Sequence, residues 1–548
     1  MPTVAERVAR VLAAHVSEVF GLLGNGNAFV VDALLQHTDA RYTAVRHEAG
    51  AVASADAYWR ATGKLAIATT TYGAGFTNTL TALAEAALAR SPMIVLVGDE
   101  PTGGRRPWDV DQAALASACG VPTVTVTIDT PGADTVHALS RALRERTPVI
   151  LALPYDLPTV ETAEPEFIPE LAPGNLLLPD ADALAKLVGR LRECKRPIIL
   201  AGVGARDAGP ALSELADRIG AITVTTAPAR GLFAGRQLDA GVCGGFSSPR
   251  TAGYLAQADL VIAFGAGLNQ FTMGFGRLFP QAELVQVDIA KRPTHPAVTA
   301  HIRADASATA MALLTEVASR ESWPGVDPAE VVDAQFDRGD TPEFAEDGRL
   351  DPRGLIAAID AQLPDARLVC TDGGHFIGWP NTHLRLPSAG SMLLVGTHFQ
   401  SIGLGFPAAA GAARAAGERM LVVATGDGGG LMGLADLDSL VRTARRATVI
   451  VFNDAAYTAE TTQYGSLGLD ERPMRIDEVD FAQLALGVGA HATVVRRLSD
   501  LDSWATWCTA RGEGTWVLDC RISGSVIAPY QLEIMANLRD AVNHPAAD

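Results

Sequence analysis

A chain of 548 residues exceeds what one hydrophobic core usually supports and points to two to four domains. Nearly half the residues are apolar, glycine is frequent and aromatics are few, the profile of α/β proteins whose buried parallel strands are aliphatic runs. The formal charge of −18 argues against nucleic acid as a partner, because a polyanion is held by clustered Lys and Arg.

The N-terminus has no basic stretch followed by an apolar segment, and no apolar run reaches membrane-spanning length. A cytoplasmic location with no membrane partner is the expectation. The six scattered cysteines, with no CxxC pair, read as small apolar residues rather than zinc ligands or a disulfide framework.

In chain order, the first feature is the glycine-rich loop Phe20-Gly21-Leu22-Leu23-Gly24-Asn25-Gly26-Asn27. It is not a dinucleotide fingerprint, since Phe29 stands where a third glycine belongs. Tyr42–Ala51 reads as a short strand entering a helix at Glu48, where an acid suits the helix dipole. Lys64–Thr69 and Met93–Val97 are strands joined by the turn Tyr72-Gly73-Ala74-Gly75 and a helix. After the strand Val149–Leu153, Glu161–Pro179 is rich in proline and acid and reads as a linker.

Pro197–Ala201, Ala221–Thr226, Leu260–Phe264 and Leu284–Val287 are the strands of a second segment, in which Gly202-Val203-Gly204 is only a weak nucleotide signal. Trp323–Leu350 again breaks the rhythm, acidic and without a sustained apolar period. The breaks predict three doubly wound α/β domains with parallel sheets, at 1–165, 180–325 and 350–535. Leu65–Gly98 and Leu421–Asn453 share one pattern of strand, glycine turn, helix and strand, which suggests a duplicated fold.

The second copy carries the chemistry. The buried-strand run Met420–Thr425 ends at Gly426-Asp427-Gly428-Gly429-Gly430, followed by a helical stretch, Leu431–Arg445. Such a turn brings backbone N–H groups close to phosphate oxygens. An Asp there would repel a bare phosphate, so a hard cation between carboxylate and phosphates is expected. The next strand, Ala447–Phe452, leads to Asn453 after 24 residues beyond Gly428. Adjacent parallel strands would bring Asp427 and Asn453 together at the carboxyl edge of the sheet.

This pattern resembles the GDG-to-Asn motif of thiamine-diphosphate enzymes, in the branch containing acetolactate synthase, pyruvate decarboxylase and benzoylformate decarboxylase. The resemblance covers essentially the whole chain. It implies a pyrimidine-binding first domain, a central domain and a diphosphate-binding third domain. It also implies thiamine diphosphate as cofactor, with Mg2+ held by Asp427, Asn453 and the carbonyl of Ala455, and with Gly426, Gly428 and Gly429 against the diphosphate. The family often has two Asn where this chain has Phe452-Asn453, but the second is the usual ligand.

Arg46-His47-Glu48, with Ala55–Gly63 behind it, is similar to the family segment that activates the cofactor. By that resemblance Glu48 shares a proton with the aminopyrimidine ring, and His47 is a packed neighbour. Thr71–Asn78 resembles the family's Gly-x-Gly-x-x-Asn turn, which places Gly73 and Asn78 at the cofactor, although Tyr72 and Phe76 are bulkier than usual. In Ser401–Pro407, Ile402 matches the apolar residue that holds thiamine bent.

Gln112 matches a substrate-facing glutamine of the carboligases, and Glu460 matches a proton-handling glutamate of the decarboxylases. Gly267–Phe271 lacks the Arg of acetolactate synthases, which weighs against FAD, and Tyr457–Tyr464 lacks their Trp. The implied reaction is acetolactate synthase-like carboligation of a decarboxylated 2-oxo acid, with simple decarboxylation to an aldehyde as the alternative. The implied assembly is a homodimer or homotetramer with active sites at the dimer interface. A nicotinamide dehydrogenase would need a glycine fingerprint that the chain lacks, and a cofactor-binding paralogue without activity would be expected to lose Glu48 or the metal pair.

Overall fold

The computed structural model describes residues 1–543, apart from residues 166, 172–175 and 322. Three six-stranded sheets, all parallel and flanked by helices, follow one another along the chain. The first contains β1 (Glu18–Gly21), β2 (Arg41–Ala44), β3 (Ile67–Thr70), β4 (Met93–Asp99), β5 (Thr123–Thr125) and β6 (Pro148–Pro154). The second contains β7 (Pro197–Ala201), β8 (Ile222–Thr225), β9 (Asp239–Val242), β10 (Leu260–Phe264), β11 (Glu283–Asp288) and β12 (Ala300–Arg303). The third contains β13 (Arg367–Thr371), β14 (Met392–Leu394), β15 (Met420–Gly426), β16 (Arg446–Asn453), β17 (His491–Val495) and β18 (Gly514–Arg521).

The first and third sheets share one strand order. It runs β2-β1-β3-β4-β6-β5 in the first and β14-β13-β15-β16-β18-β17 in the third. The repeated pattern read from sequence is therefore a repeated topology. The middle sheet differs. Its order β9-β8-β7-β10-β11-β12 is the doubly wound 3-2-1-4-5-6 arrangement, with a switch point between β7 and β10.

Central strands are fully buried because helices cover both faces, which explains their unbroken aliphatic runs. One hydrophobic cluster runs continuously from Phe20 and Val52 in the first domain to Ala409, Leu421 and Val449 in the third. The contact is a helix pair, Glu48–Thr62 against Gly405–Ala416, brought together by small residues. A Cβ at Gly411 would overlap the carbonyl of Ser54, and Ser54 Oγ donates to the Pro407 carbonyl at 2.8 Å.

One local expectation needs correction, and two gain detail. The stretch Leu431–Arg445 is not one helix but two, Asp427–Met432 and Ala435–Thr443. The break falls at Gly433, where a Cβ would lie 2.7 Å from Pro407 Cδ, so the chain must turn beside the neighbouring helix. Trp323–Leu350 is irregular apart from the helix Pro328–Ala334, yet it is anchored, since buried Trp323 donates its indole N–H to the Pro197 carbonyl. His47 is exposed in the single chain and caps the helix from Glu48 by accepting the Ala49 N–H.

Among the described residues of Glu161–Pro179 there is no helix or extended strand, and residues 166 and 172–175 of that expected linker lie outside the described residues. All six cysteines are free, and four of them are buried.

Candidate active site

The carboxyl edge of the third sheet brings Asp427 and Asn453 side by side. β15 and β16 pair in parallel with Gly426 opposite Phe452, so the two next residues leave adjacent strand ends together. Asp427 is buried, with Oδ1 accepting the Gly428 N–H and Oδ2 accepting the Ala455 N–H, both at 2.8 Å. Burial, and then the charge of Asp454, push its pKa up to about 7. Burial also raises Asp454, to about 6.

Asn453 is fully buried, and its amide donates to the Val479 carbonyl at 3.0 Å and to Asp519 Oδ1 at 2.9 Å. Both partners are acceptors, which fixes the amide orientation and leaves Asn453 Oδ1 buried without a hydrogen-bond partner. An orphaned amide oxygen beside a buried carboxyl group is costly unless a cation satisfies both. No three His, Cys, Asp or Glu side chains converge on a metal position among the described residues. The donor set of one carboxylate and one amide oxygen suits Mg2+ whose other ligands are phosphate, water or backbone.

The residues around this pair have little freedom. A Cβ at Gly428 would overlap the Tyr457 ring, and one at Gly429 would lie 2.5 Å from Asp372 Oδ2. Ala455 adopts a left-handed φ of 59°, turns its N–H toward Asp427 and has its carbonyl engaged by the Ile476 N–H at 3.1 Å. Gly426 ends β15 beside the Phe376 ring.

Sequence reasoning missed Asp372. This buried residue follows β13 at the same sheet edge and accepts N–H groups from Gly373 (2.8 Å), Gly403 (2.9 Å) and Leu404 (3.2 Å). Burial pushes its pKa up to about 6. It holds the backbone immediately after Ile402, whose Cγ2 lies 3.5 Å from a Cβ position on Gly373. An acid directly after a buried strand run was the available signal, the same one that marked Asp427.

In the first domain, Glu48 begins the helix Glu48–Thr62 and is half-buried. Asn78 Nδ2 donates to Glu48 Oε2 at 3.0 Å, and a Cβ at Gly75 would come 3.3 Å from Glu48 Oε1. The structure thus joins Glu48 and the turn from Gly73 to Asn78 in one cluster. Gly73 takes a φ of 63°, which favours glycine.

Gln112 is buried behind that turn, and it is not a plain surface residue. Its Oε1 accepts the Gly73 N–H at 2.7 Å, while Nε2 donates to the Gly98 carbonyl at 2.9 Å and Asp99 Oδ1 at 3.2 Å. Glu460 is exposed on the helix Thr458–Gln463. Burial, and then the charge of Glu460, raise the Tyr530 hydroxyl, which donates to the carbonyls of Gly374 and His375. No described contact joins Glu48 to Asp427 within the chain.

In the middle domain, Gly202 and Gly204 are consumed by packing. Their N–H groups donate to the carbonyls of Phe264 and Gly265, at 2.9 and 3.0 Å, and a Cβ at Gly204 would lie 2.9 Å from Gly265 Cα.

Comparison with known proteins agrees with this arrangement along the chain. Residues 2–115 match the N-terminal TPP binding domain of thiamine pyrophosphate enzymes, residues 184–313 their central domain, and residues 372–520 their C-terminal TPP binding domain. The chain is 26% identical to a pyruvate oxidase of Lactiplantibacillus plantarum, over 90% of this chain and 84% of that protein. It is 27% identical to the large subunit of acetolactate synthase isozyme 1 of Escherichia coli, over 86% and 85% of the two chains. A thiamine diphosphate-dependent 4-hydroxybenzoylformate decarboxylase of Rhodococcus jostii superposes with a TM-score of 0.80 at 21% identity, covering 95% of this chain and 99% of that one. With all three domains matched in order, the chain belongs to the thiamine pyrophosphate enzyme family.

Proposed function

We propose that this chain binds thiamine diphosphate through Mg2+, decarboxylates a 2-oxo acid and transfers the remaining acyl unit to a second carbonyl compound, as an acetolactate synthase-like carboligase. The observation that carries the cofactor reading is the orphaned, buried Oδ1 of Asn453 beside Asp427. The domain limits that go with it are 1–165, 180–325 and 350–535.

When bound, thiamine diphosphate supplies a nucleophilic carbon and an electron sink next to it. The protein supplies everything else. Asp427 and Asn453 hold the cation, with the second lone pair of the Ala455 carbonyl as the third protein ligand. Gly426, Gly428 and Gly429 let the diphosphate approach the backbone. Ile402 supports the bend of the cofactor.

Glu48 shares a proton with the aminopyrimidine ring, and Asn78, by donating to the other carboxylate oxygen, fixes its direction. Gln112, with its amide committed to Gly73 and Gly98, contributes by holding the turn that faces the substrate. Each site takes Glu48 from one subunit and Asp427 from another in a homodimer or homotetramer.

A second reading, simple decarboxylation to an aldehyde, is favoured by Glu460. It is exposed, and its charge contributes to raising the Tyr530 hydroxyl, which itself donates to the Gly374 and His375 carbonyls; in this reading Glu460 delivers a proton to product. A panel of 2-oxo acids, each with and without acceptor aldehydes and 2-oxo acids, separates the two. Carboligation requires CO2 release with an acyloin or acetohydroxy acid as the major product. Free aldehyde as the sole product with every acceptor would establish the second reading.

A further inference from the structure

The segment that carries Ile402 is held from outside its own domain. The N–H groups of His398 and Phe399 both donate to Glu85 Oε2, at 2.9 and 2.7 Å, and His398 Nδ1 lies 3.3 Å from Glu85 Oε1. Glu85 belongs to the first-domain helix Leu80–Leu88 and is fully buried. Its charge is met by Arg60 Nη2 at 2.8 Å. The same guanidinium pairs with Asp56, at 2.7 Å through both Nε and Nη2, and donates from Nη1 to the Leu394 carbonyl at 2.6 Å. Burial raises the Glu85 carboxyl, but His398 and Arg60 outweigh it and hold the group well below the usual range, so it is ionised.

At the other end of the segment, Asp372 holds the N–H groups of Gly403 and Leu404. Two carboxylates from two domains therefore pin one strap, with Ile402 between the pins. No helix or strand covers residues 395–404. The strap contains three left-handed residues, Gly396, Gln400 and Gly403, and is closed by a Ser401 N–H to Gly396 carbonyl bond of 2.9 Å. Two of the three are glycines, which take such angles without strain, so Gln400 alone is strained, and the bonds to Glu85 and Asp372 fix where the strap lies. Arg60 also lies on the helix that begins at Glu48, about 18 Å further along at the usual helical rise. The helix that presents Glu48 at one end braces the Ile402 strap at the other.

We propose that Glu85, backed by Arg60, is a positioning residue that sets Ile402 beneath the cofactor of its own chain's third domain. The inference rests on the reading of Ile402 as the residue supporting bent thiamine. A buried ion pair that merely joined two domains would need only side-chain contacts. Glu85 instead spends both oxygens on the strap and one of them on main-chain N–H groups, which fix backbone position.

The test is a double-mutant cycle on the holoenzyme with Glu85→Ala, Ile402→Ala and the pair, accompanied by Glu85→Gln and by hydrogen exchange at residues 395–404. Ser54→Ala, which removes a buried bond across the same domain contact, is the control. Glu85→Ala should lower kcat by about 10- to 100-fold, the scale of a misplacement near one ångström, while KM for the 2-oxo acid stays within about 2-fold. Glu85→Gln, which keeps an acceptor for the two N–H groups, should recover part of the loss. In the Ile402→Ala background, Glu85→Ala should cost little more, because the two act as one unit. Exchange at His398 and Phe399 should rise in Glu85→Ala and stay at the wild-type rate in Ser54→Ala.

Fully multiplicative losses, or unchanged exchange at residues 398 and 399, would overturn the inference and leave the proposed function standing. An Ile402→Ala chain with wild-type kcat and cofactor affinity would instead overturn the reading of Ile402, and this inference with it.

Discussion

Asp519 accepts the Asn453 amide at 2.9 Å and thereby fixes its orientation, leaving the Asn453 carbonyl oxygen buried without a protein donor. Under the proposed function, this orientation leaves the Asn453 oxygen free to serve as the metal ligand. Removing the acceptor in Asp519→Ala frees the amide to rotate. Supporting residues of this kind typically contribute about 10- to 100-fold in metal affinity. Calorimetric titration with thiamine diphosphate should show binding abolished by EDTA, restored by Mg2+, and shifted to higher Mg2+ by that factor in Asp519→Ala. Binding unchanged by EDTA in the wild type would remove the metal reading altogether.

Glu48 and Asp427 make no described contact within one chain, and the proposed site combines them across subunits. A Glu48→Gln chain keeps shape and hydrogen bonding but cannot share a proton, so activity should fall by roughly 10²–10⁴-fold with cofactor still bound. An Asp427→Ala chain should fail to retain cofactor. Coexpression yields heterodimers in which one site carries both lesions and the other neither, so activity should reappear. Tagged heterodimers that remain inactive would place Glu48 in its own chain's site or outside the chemistry.

The switch point of the middle domain offers no open glycine turn, because Gly202 and Gly204 are packed on Gly265. Together with the absent Arg near Asn269, this predicts a protein without flavin. The purified protein should lack a stoichiometric visible flavin band, and a yellow preparation that releases one equivalent of FAD would refute the prediction.

His375 gives a signed pH dependence. It is buried, its Nε2 accepts the Ala528 N–H at 2.9 Å, and burial lowers its pKa from 6.5 to about 4. The unfolded chain then binds the proton at higher pH than the folded one, so acid favours unfolding. The loss begins below about pH 6.5 and is complete below about pH 4, where it reaches roughly 3 kcal/mol. His375→Gln keeps an acceptor without titrating there. Urea midpoints measured from pH 7 to 4 should fall more steeply for the wild type than for the variant, and parallel curves would count against a buried, neutral His375.

The sequence alone determined the α/β class, the three parallel sheets and the adjacency of Asp427 and Asn453 at one sheet edge. These are written locally: buried parallel strands must be aliphatic runs, and a glycine turn with one acid at a strand end becomes specific when a helix and a second buried strand lead on to Asn453. Asp372 carried the same local mark and was legible in principle. What only the tertiary structure decided depends on contacts between distant residues. The amide orientation of Asn453 is set by Asp519, 66 residues away in the chain. Gln112 became a buried strut because β4 and the Gly73 turn converge on it. The break at Gly433 follows from Pro407 and the Gly403 carbonyl on neighbouring segments. The hold of Glu85 on the Ile402 strap joins residues 313 positions apart through a domain contact. Periodicity and turn chemistry act over a few residues and report what each segment prefers. Which partner satisfies a buried polar group is settled when the segments pack.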